Sequence, residues 1–181
     1  LNTNLINTMK KLFLLVVLWL SLLTGIQAQF PKAIFPGDYP DPSILRDGKD
    51  YYMTHSPFYY APGFLIWHST DLLHWEPVCR ALPEYEGSAM APDLLKYQGR
   101  YYIYYPTSTG ENYVIYADNI RGPWSKPVKL DVRGIDPGHV VGEDGKRYLF
   151  TNNGWITPLS NDGLKVTGKS RKVYDGWEYP A

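Results

Sequence analysis

Two aspartates that precede proline, Asp41-Pro42 and Asp136-Pro137, are the best-placed residues for chemistry in this chain, because they stand at the same point of an internal repeat. Ala91-Pro92 holds the corresponding place between them. Pro42 and Pro92 are 50 residues apart, and Pro92 and Pro137 are 45 apart. Proline fixes its own φ and biases its predecessor to extended backbone, so each Asp is expected to be held in one direction. A single Asp-Pro is also an ordinary turn dipeptide. Two in register across repeats make a pair of converging carboxylates. Outside any glycine-rich phosphate loop, such a pair suits hydrolysis of a glycosidic bond: one carboxylate activates water while a carboxylic acid protonates the leaving oxygen.

The elements that must position these groups follow from the same repeat. Each X-Pro leads through a glycine turn into an aromatic strand: Gly48-Lys49-Asp50-Tyr51-Tyr52, Gly99-Arg100-Tyr101-Tyr102 and Gly145-Lys146-Arg147-Tyr148-Leu149. Further along, Trp75-Glu76-Pro77-Val78 is echoed by Trp124-Ser125-Lys126-Pro127-Val128. A period of roughly 40–50 residues is that of one four-stranded propeller blade. In the first repeat the strands are expected near Ser43–Arg46, Tyr51–Ser56, Phe64–Ser69 and Glu76–Arg80, the first two joined at Asp47-Gly48, with Gln98-Gly99 and Asp144-Gly145 in the same role in the other copies. The run Tyr101-Tyr102-Ile103-Tyr104-Tyr105 is too aromatic for a sheet with one wet face, and suits a strand buried between neighbouring blades. The recurring Trp75 and Trp124 read as blade core. The fold class is therefore all-β, a propeller whose first strands line a central channel, with function expected at repeat position one.

Three segments carry a family resemblance. Gly37-Asp38-Tyr39-Pro40-Asp41-Pro42-Ser43-Ile44, Ala91-Pro92-Asp93-Leu94 and Ile135-Asp136-Pro137-Gly138, the last followed by Glu143-Asp144-Gly145-Lys146, resemble the opening three blades of glycoside hydrolase family 43. The resemblance implies a five-bladed propeller enzyme acting with inversion as a β-xylosidase, α-L-arabinofuranosidase or arabinanase. It places the general base on Asp41, and on Asp136 a third carboxylate that orients the acid and tunes its pKa. The family's general acid is a Glu in a later Glu-Gly-Pro-type motif, which this chain lacks. Glu178 is set aside because Gly176-Trp177-Glu178-Tyr179-Pro180 looks like the segment before that motif. Two positions depart from the family pattern: Met90 stands where a large aromatic is common, and Gly138 where Ser is usual. Met90 and His139 are the substrate-facing candidates.

Other polar residues receive plainer readings. Asp38 is expected to cap a turn, with a second carboxylate of the site as the alternative, and Asp93 to point away from the face used by Ala91's neighbours, at most supporting the site from behind. His55, His68, His74 and His139 lack a zinc spacing, so neither a metal nor a cofactor is expected. With 18 basic and 18 acidic residues and no Lys/Arg stripe, nucleic acid is not an expected partner. The implied partner is a plant-type, pentose-containing polysaccharide or oligosaccharide. The competing reading is a noncatalytic propeller that binds glycan or protein.

At the front, Met9-Lys10-Lys11, the apolar run Leu12–Leu23 and Ile26-Gln27-Ala28 follow the order of a cleavable signal peptide. The expected organisation is 1–8 as upstream leader, 9–28 as signal peptide and 29–181 as the N-terminal part of the propeller, in a secreted or periplasmic protein with no membrane span after cleavage. About three repeats fit in 29–181, so the whole is expected to be longer and this piece alone inactive. The single Cys79 reads as a buried strand residue.

Overall fold

The computed structural model describes residues 7–16, 33–85 and 87–175. The chain divides into two units, Leu1–Ala33 and Ile34–Ala181. In the first, residues 7–16 form a helix that takes in Met9, Lys10, Lys11 and the start of the apolar run. The rest of the expected signal segment lies outside the described residues, as does Glu178. Among the described residues no helix is long and apolar enough to cross a membrane.

The second unit is all-β. Sheet 1 contains β1 (Ser43–Asp47), β2 (Asp50–Thr54), β3 (Gly63–Ser69) and β4 (Glu76–Leu82). Sheet 2 contains β5 (Asp93–Tyr97), β6 (Arg100–Pro106), β7 (Glu111–Ala117) and β8 (Val128–Arg133). Sheet 3 contains β9 (Gly138–Val141), β10 (Arg147–Thr151), β11 (Trp155–Pro158) and β12 (Arg171–Lys172). Within each sheet the strands pair antiparallel in chain order, and the first strands of the three sheets lie side by side, β1 against β5 and β5 against β9.

Turn chemistry sets the register of the first hairpins. Asp47 pairs with Asp50 and Tyr97 with Arg100, leaving the loops Gly48-Lys49 and Gln98-Gly99. Gln98 at φ 49 and Gly99 at φ 85 both take the left-handed backbone that a tight hairpin needs. The third hairpin departs from the expected match: Val141 pairs with Arg147 across a longer loop, residues 142–146. There Asp144 accepts hydrogen bonds from the Lys146 amide at 3.0 Å and the Tyr148 hydroxyl at 2.8 Å, replacing a two-residue turn with an acidic cap.

The aromatic run behaves as its composition predicts, because strand alternation sends its side chains to opposite faces of sheet 2. Tyr101, Ile103 and Tyr105 join Phe64, Ile66 and Ile115 in one buried cluster, against sheet 1. Tyr102 and Tyr104 join Val114, Leu130 and Leu149 in another, against sheet 3. Phe64 and Tyr105 meet edge-on at 4.8 Å, a geometry that adds about 0.5–1.5 kcal/mol beyond area burial. At the outer corner of the first junction, Asp47 accepts from Lys96 at 2.7 Å and from the Tyr101 hydroxyl at 2.5 Å, bonds that lower its pKa.

Two expectations about the core need correction. Trp75 and Trp124 are only half-buried, and each donates its indole N–H to a nearby carbonyl, Leu72 at 3.0 Å and Ile120 at 3.2 Å. Trp124 still packs against the buried cluster of Phe64, Ile66 and Tyr105, whereas Trp75 serves to anchor the turn before the fourth strand. Cys79 lies on β4, partly exposed, with its thiol on the Ile120 carbonyl at 3.3 Å.

Candidate active site

Repeat position one falls at the same end of β1, β5 and β9, but with a backbone the sequence did not suggest. Asp41, Ala91 and Asp136 have φ of 52, 30 and 54°, all left-handed and none of them glycine. The expectation of extended backbone before proline is overturned at all three places. Such conformations cost on the order of 1–3 kcal/mol each and persist only where the surroundings over-determine them. The surroundings do so through short polar contacts.

Asp41 is exposed, and its Oδ2 accepts a hydrogen bond from the hydroxyl of buried Ser56 at 2.5 Å. That hydroxyl accepts from the Ala91 amide at 2.6 Å, and the Ser56 amide donates to the Pro40 carbonyl at 3.0 Å. Asp136, also exposed, follows a segment clipped by Asn152: the Asn152 amide donates to Ile135 O at 2.9 Å, and its Oδ1 accepts from the Ile135 amide at 3.0 Å. Gly134 lets Asn152 approach this closely, because a Cβ there would sit 2.6 Å from Asn152 Oδ1.

Between neighbouring first strands the same bond recurs. The Leu94 amide donates to Ser43 Oγ at 2.9 Å, and the His139 amide to Asp93 Oδ2 at 2.7 Å. Ser43 and Asp93 follow the repeat prolines, so one side-chain position clasps each sheet to the next. Asp93 is therefore not turned away as alternation suggested. Its carboxyl lies in the junction, where desolvation raises its pKa against the lowering effect of the His139 amide.

His139, the other substrate-facing candidate, has its ring engaged by neighbouring strands. Its ring stacks on Tyr104 at 5.8 Å, and its Nε2 accepts from Arg147 Nε at 2.9 Å, which puts it between sheets 2 and 3. Burial first, and the Arg147 charge second, push its pKa down to about 4. Met90 is half-buried, its amide on Pro106 O at 3.0 Å, beside Ala89, which bridges Phe58 and Thr107. His68 bonds Asp50 at 2.6 Å and His74 bonds Asp71 at 2.7 Å, both away from the aspartates that open the strands. No group of His, Cys, Asp or Glu among the described residues is placed to hold a metal ion.

Beside Asp41 a cavity of about 430 Å³ is lined by Asp38, Tyr39, His55, Ser56, Phe58 and Trp67, among others. Asp38, expected as a turn cap, thus borders a space. Buried His55 Nε2 and Trp67 Nε1 have no hydrogen-bond partner among the described residues, and both residues line this cavity. Desolvation lowers the His55 pKa. Tyr59 and Tyr60 stand exposed on the loop that follows His55. A second groove, of about 710 Å³, is lined by Asp131, Arg133, Asn152 and the exposed Trp155, among others. Ser56 and Asn152 escaped sequence reading because an isolated Ser or Asn carries no periodic signal.

This geometry can be set beside known proteins. Residues 30–181 match the family described as Glycosyl hydrolases family 43. The chain belongs to that family. Among its relatives, a xylosidase/arabinosidase of Butyrivibrio fibrisolvens is 33% identical over 79% of this chain and 33% of that protein. A non-reducing-end α-L-arabinofuranosidase of Bacteroides ovatus is 33% identical over 80% of this chain and 30% of that protein. A solved family 43 structure from Bacillus licheniformis superposes with a TM-score of 0.75 at 31% identity, covering 82% of this chain and 34% of that one. The chain spans about a third of the length of the curated relatives it matches. As a family 43 chain it lacks a clasp side chain at Gly138, the position matching Ser43 and Asp93, and a Cβ added there would meet nothing within 4 Å.

Proposed function

We propose that the full-length protein is an exported glycoside hydrolase that cleaves terminal pentose units or internal links of xylan- or arabinan-type chains with inversion, on a five-bladed propeller whose opening blades are sheets 1 to 3. The observation that carries this reading is the placement of Asp41 and Asp136 at matching, left-handed ends of β1 and β9, the two first strands that flank β5. The xylosidase and arabinofuranosidase names of the relatives support the substrate class. Asp41 acts as base, taking a proton from the attacking water. Asp136 orients the acid, a Glu outside these 181 residues, and raises its pKa. An inverting pair leaves about 6.5–9.5 Å between base and acid for that water.

The test is hydrolysis of aryl β-D-xyloside and aryl α-L-arabinofuranoside by the full-length protein, with the first product followed by proton NMR. Inversion gives the opposite anomer before mutarotation. Retained configuration, or no hydrolysis of either pentoside, would overturn the reading.

Asp136 makes a separate prediction. A nearby negative charge disfavours ionisation of the acid and keeps it protonated near neutral pH. Asn removes that charge, so the acid loses its proton earlier and the alkaline limb of the pH–rate profile moves to lower pH. For Asp136→Asn the expected displacement is about one pH unit or more, with kcat falling about tenfold. An unmoved alkaline limb would remove Asp136 from the site.

A further inference from the structure

We propose that Ser56 is the positioning residue for Asp41, and that it registers the base of the first sheet to the backbone of the second. The inference rests on the reading of Asp41 as the base. Ser56 is 3% exposed and held from three sides. Its amide donates to Pro40 O at 3.0 Å, its oxygen accepts from the Ala91 amide at 2.6 Å, and its hydroxyl meets Asp41 Oδ2 at 2.5 Å. An amide can only donate and an ionised carboxylate can only accept. The hydroxyl proton is therefore committed to Asp41, and the direction of the relay is fixed from Ala91 N–H through Ser56 O–H to the carboxylate.

This relay gives the second repeat a purpose its side chain does not have. Ala91 stands where Asp41 and Asp136 stand in the other copies, yet carries only a methyl group. What it contributes is the N–H, turned towards Ser56 by a left-handed backbone. The segment is held in that attitude by Met90 N on Pro106 O at 3.0 Å and by the Ala89 pairing with Phe58. Ser56 occupies Oδ2 of the base, which assigns Oδ1 to the attacking water. A base fixed in this way keeps its lone pair aimed without reorganising during reaction, and misplacement by an ångström is enough to cost about a hundredfold in rate.

The experiment measures kcat and KM on an aryl pentoside for full-length Ser56→Ala, Ser56→Cys, Asp41→Asn and the double variant Ser56→Ala/Asp41→Asn, with thermal unfolding of each. For Ser56→Ala the expected result is a fall in kcat of about ten- to a hundredfold with KM within about twofold, the split expected when aim rather than binding is lost. Ser56→Cys keeps the shape and weakens the donor, so its kcat falls between wild type and Ser56→Ala. Adding Ser56→Ala to Asp41→Asn changes the residual rate little, since a residue acting through the base has nothing left to act on. Unchanged kcat in both Ser56 variants, or an equal fold loss with and without Asp41, would overturn the proposal. Near-normal kcat in Asp41→Asn would instead overturn the assignment of the base, and the proposal with it.

Discussion

Asp41→Asn in the full-length protein is expected to lower kcat by about 10²–10⁴-fold, the range that general-base catalysis contributes. The amide keeps the shape of the carboxylate and can still accept the Ser56 hydroxyl on its oxygen, so the polar frame at 2.5 and 2.6 Å around Ser56 is preserved. What disappears is the capacity to take a proton from water. Sugar affinity, measured by calorimetry with a pentose oligosaccharide, should therefore stay within a few-fold while turnover collapses. Because Asp41 is solvent-exposed, the substitution buries no unpaired group and should leave the unfolding temperature nearly unchanged. A variant that turns over an aryl pentoside at close to the wild-type rate would remove Asp41 from catalysis and favour a glycan-binding role for the domain.

The repeat was legible because it is written in residues with few alternatives. Glycine in the hairpin turns, proline at the strand openings and the aromatic run 101–105 mark the repeat, and the structure matches the expected turns in the first two hairpins and buries the aromatic run on both faces of sheet 2. The strand-opening aspartates were legible for the same reason. Their backbone was not, since proline disfavours the conformation that Asp41, Ala91 and Asp136 adopt, and tertiary hydrogen bonds decide the outcome. His139 was read from its nearness to Asp136 along the chain. Its direction is set by Arg147, Tyr104 and Asp93, which come from β10, β6 and β5, and no spacing rule joins those positions. Asp93 was misread because alternation within a strand says which face a side chain takes, and not that a neighbouring sheet brings an amide to meet it.

Arg147 is the residue whose loss should cost the fold most among those described around the site. It is 1% exposed, with its guanidinium 4.5 Å from the Tyr97 ring centroid and 4.4 Å from that of Tyr102, and it forms no ion pair among the described residues. Its donors reach His139 Nε2 at 2.9 Å, Tyr104 Oη at 3.1 Å and Asn161 O at 3.2 Å. A buried cation without a carboxylate survives here because two ring faces and three acceptors replace its water. Arg147→Ala removes the packing between sheets 2 and 3 and strips those acceptors of a donor, so a loss of about 3–5 kcal/mol is expected. The same arrangement makes the junction acid-sensitive. Arg147 needs the lone pair on His139 Nε2, so the ring is neutral and carries its proton on Nδ1. With the folded pKa at about 4 and the unfolded value near the ordinary ~6.5, the unfolded chain binds the extra proton first. Stability is then whole above about pH 6.5 and declines as pH falls towards 4, by on the order of 2–3 kcal/mol. His139→Gln offers an amide oxygen to Arg147 without a titrating group and should flatten that part of the profile. The check is thermal unfolding of the full-length protein and both variants between pH 7 and 4.5: a shift under about 1 kcal/mol for Arg147→Ala, or an acid slope unchanged in His139→Gln, would refute this account of the junction.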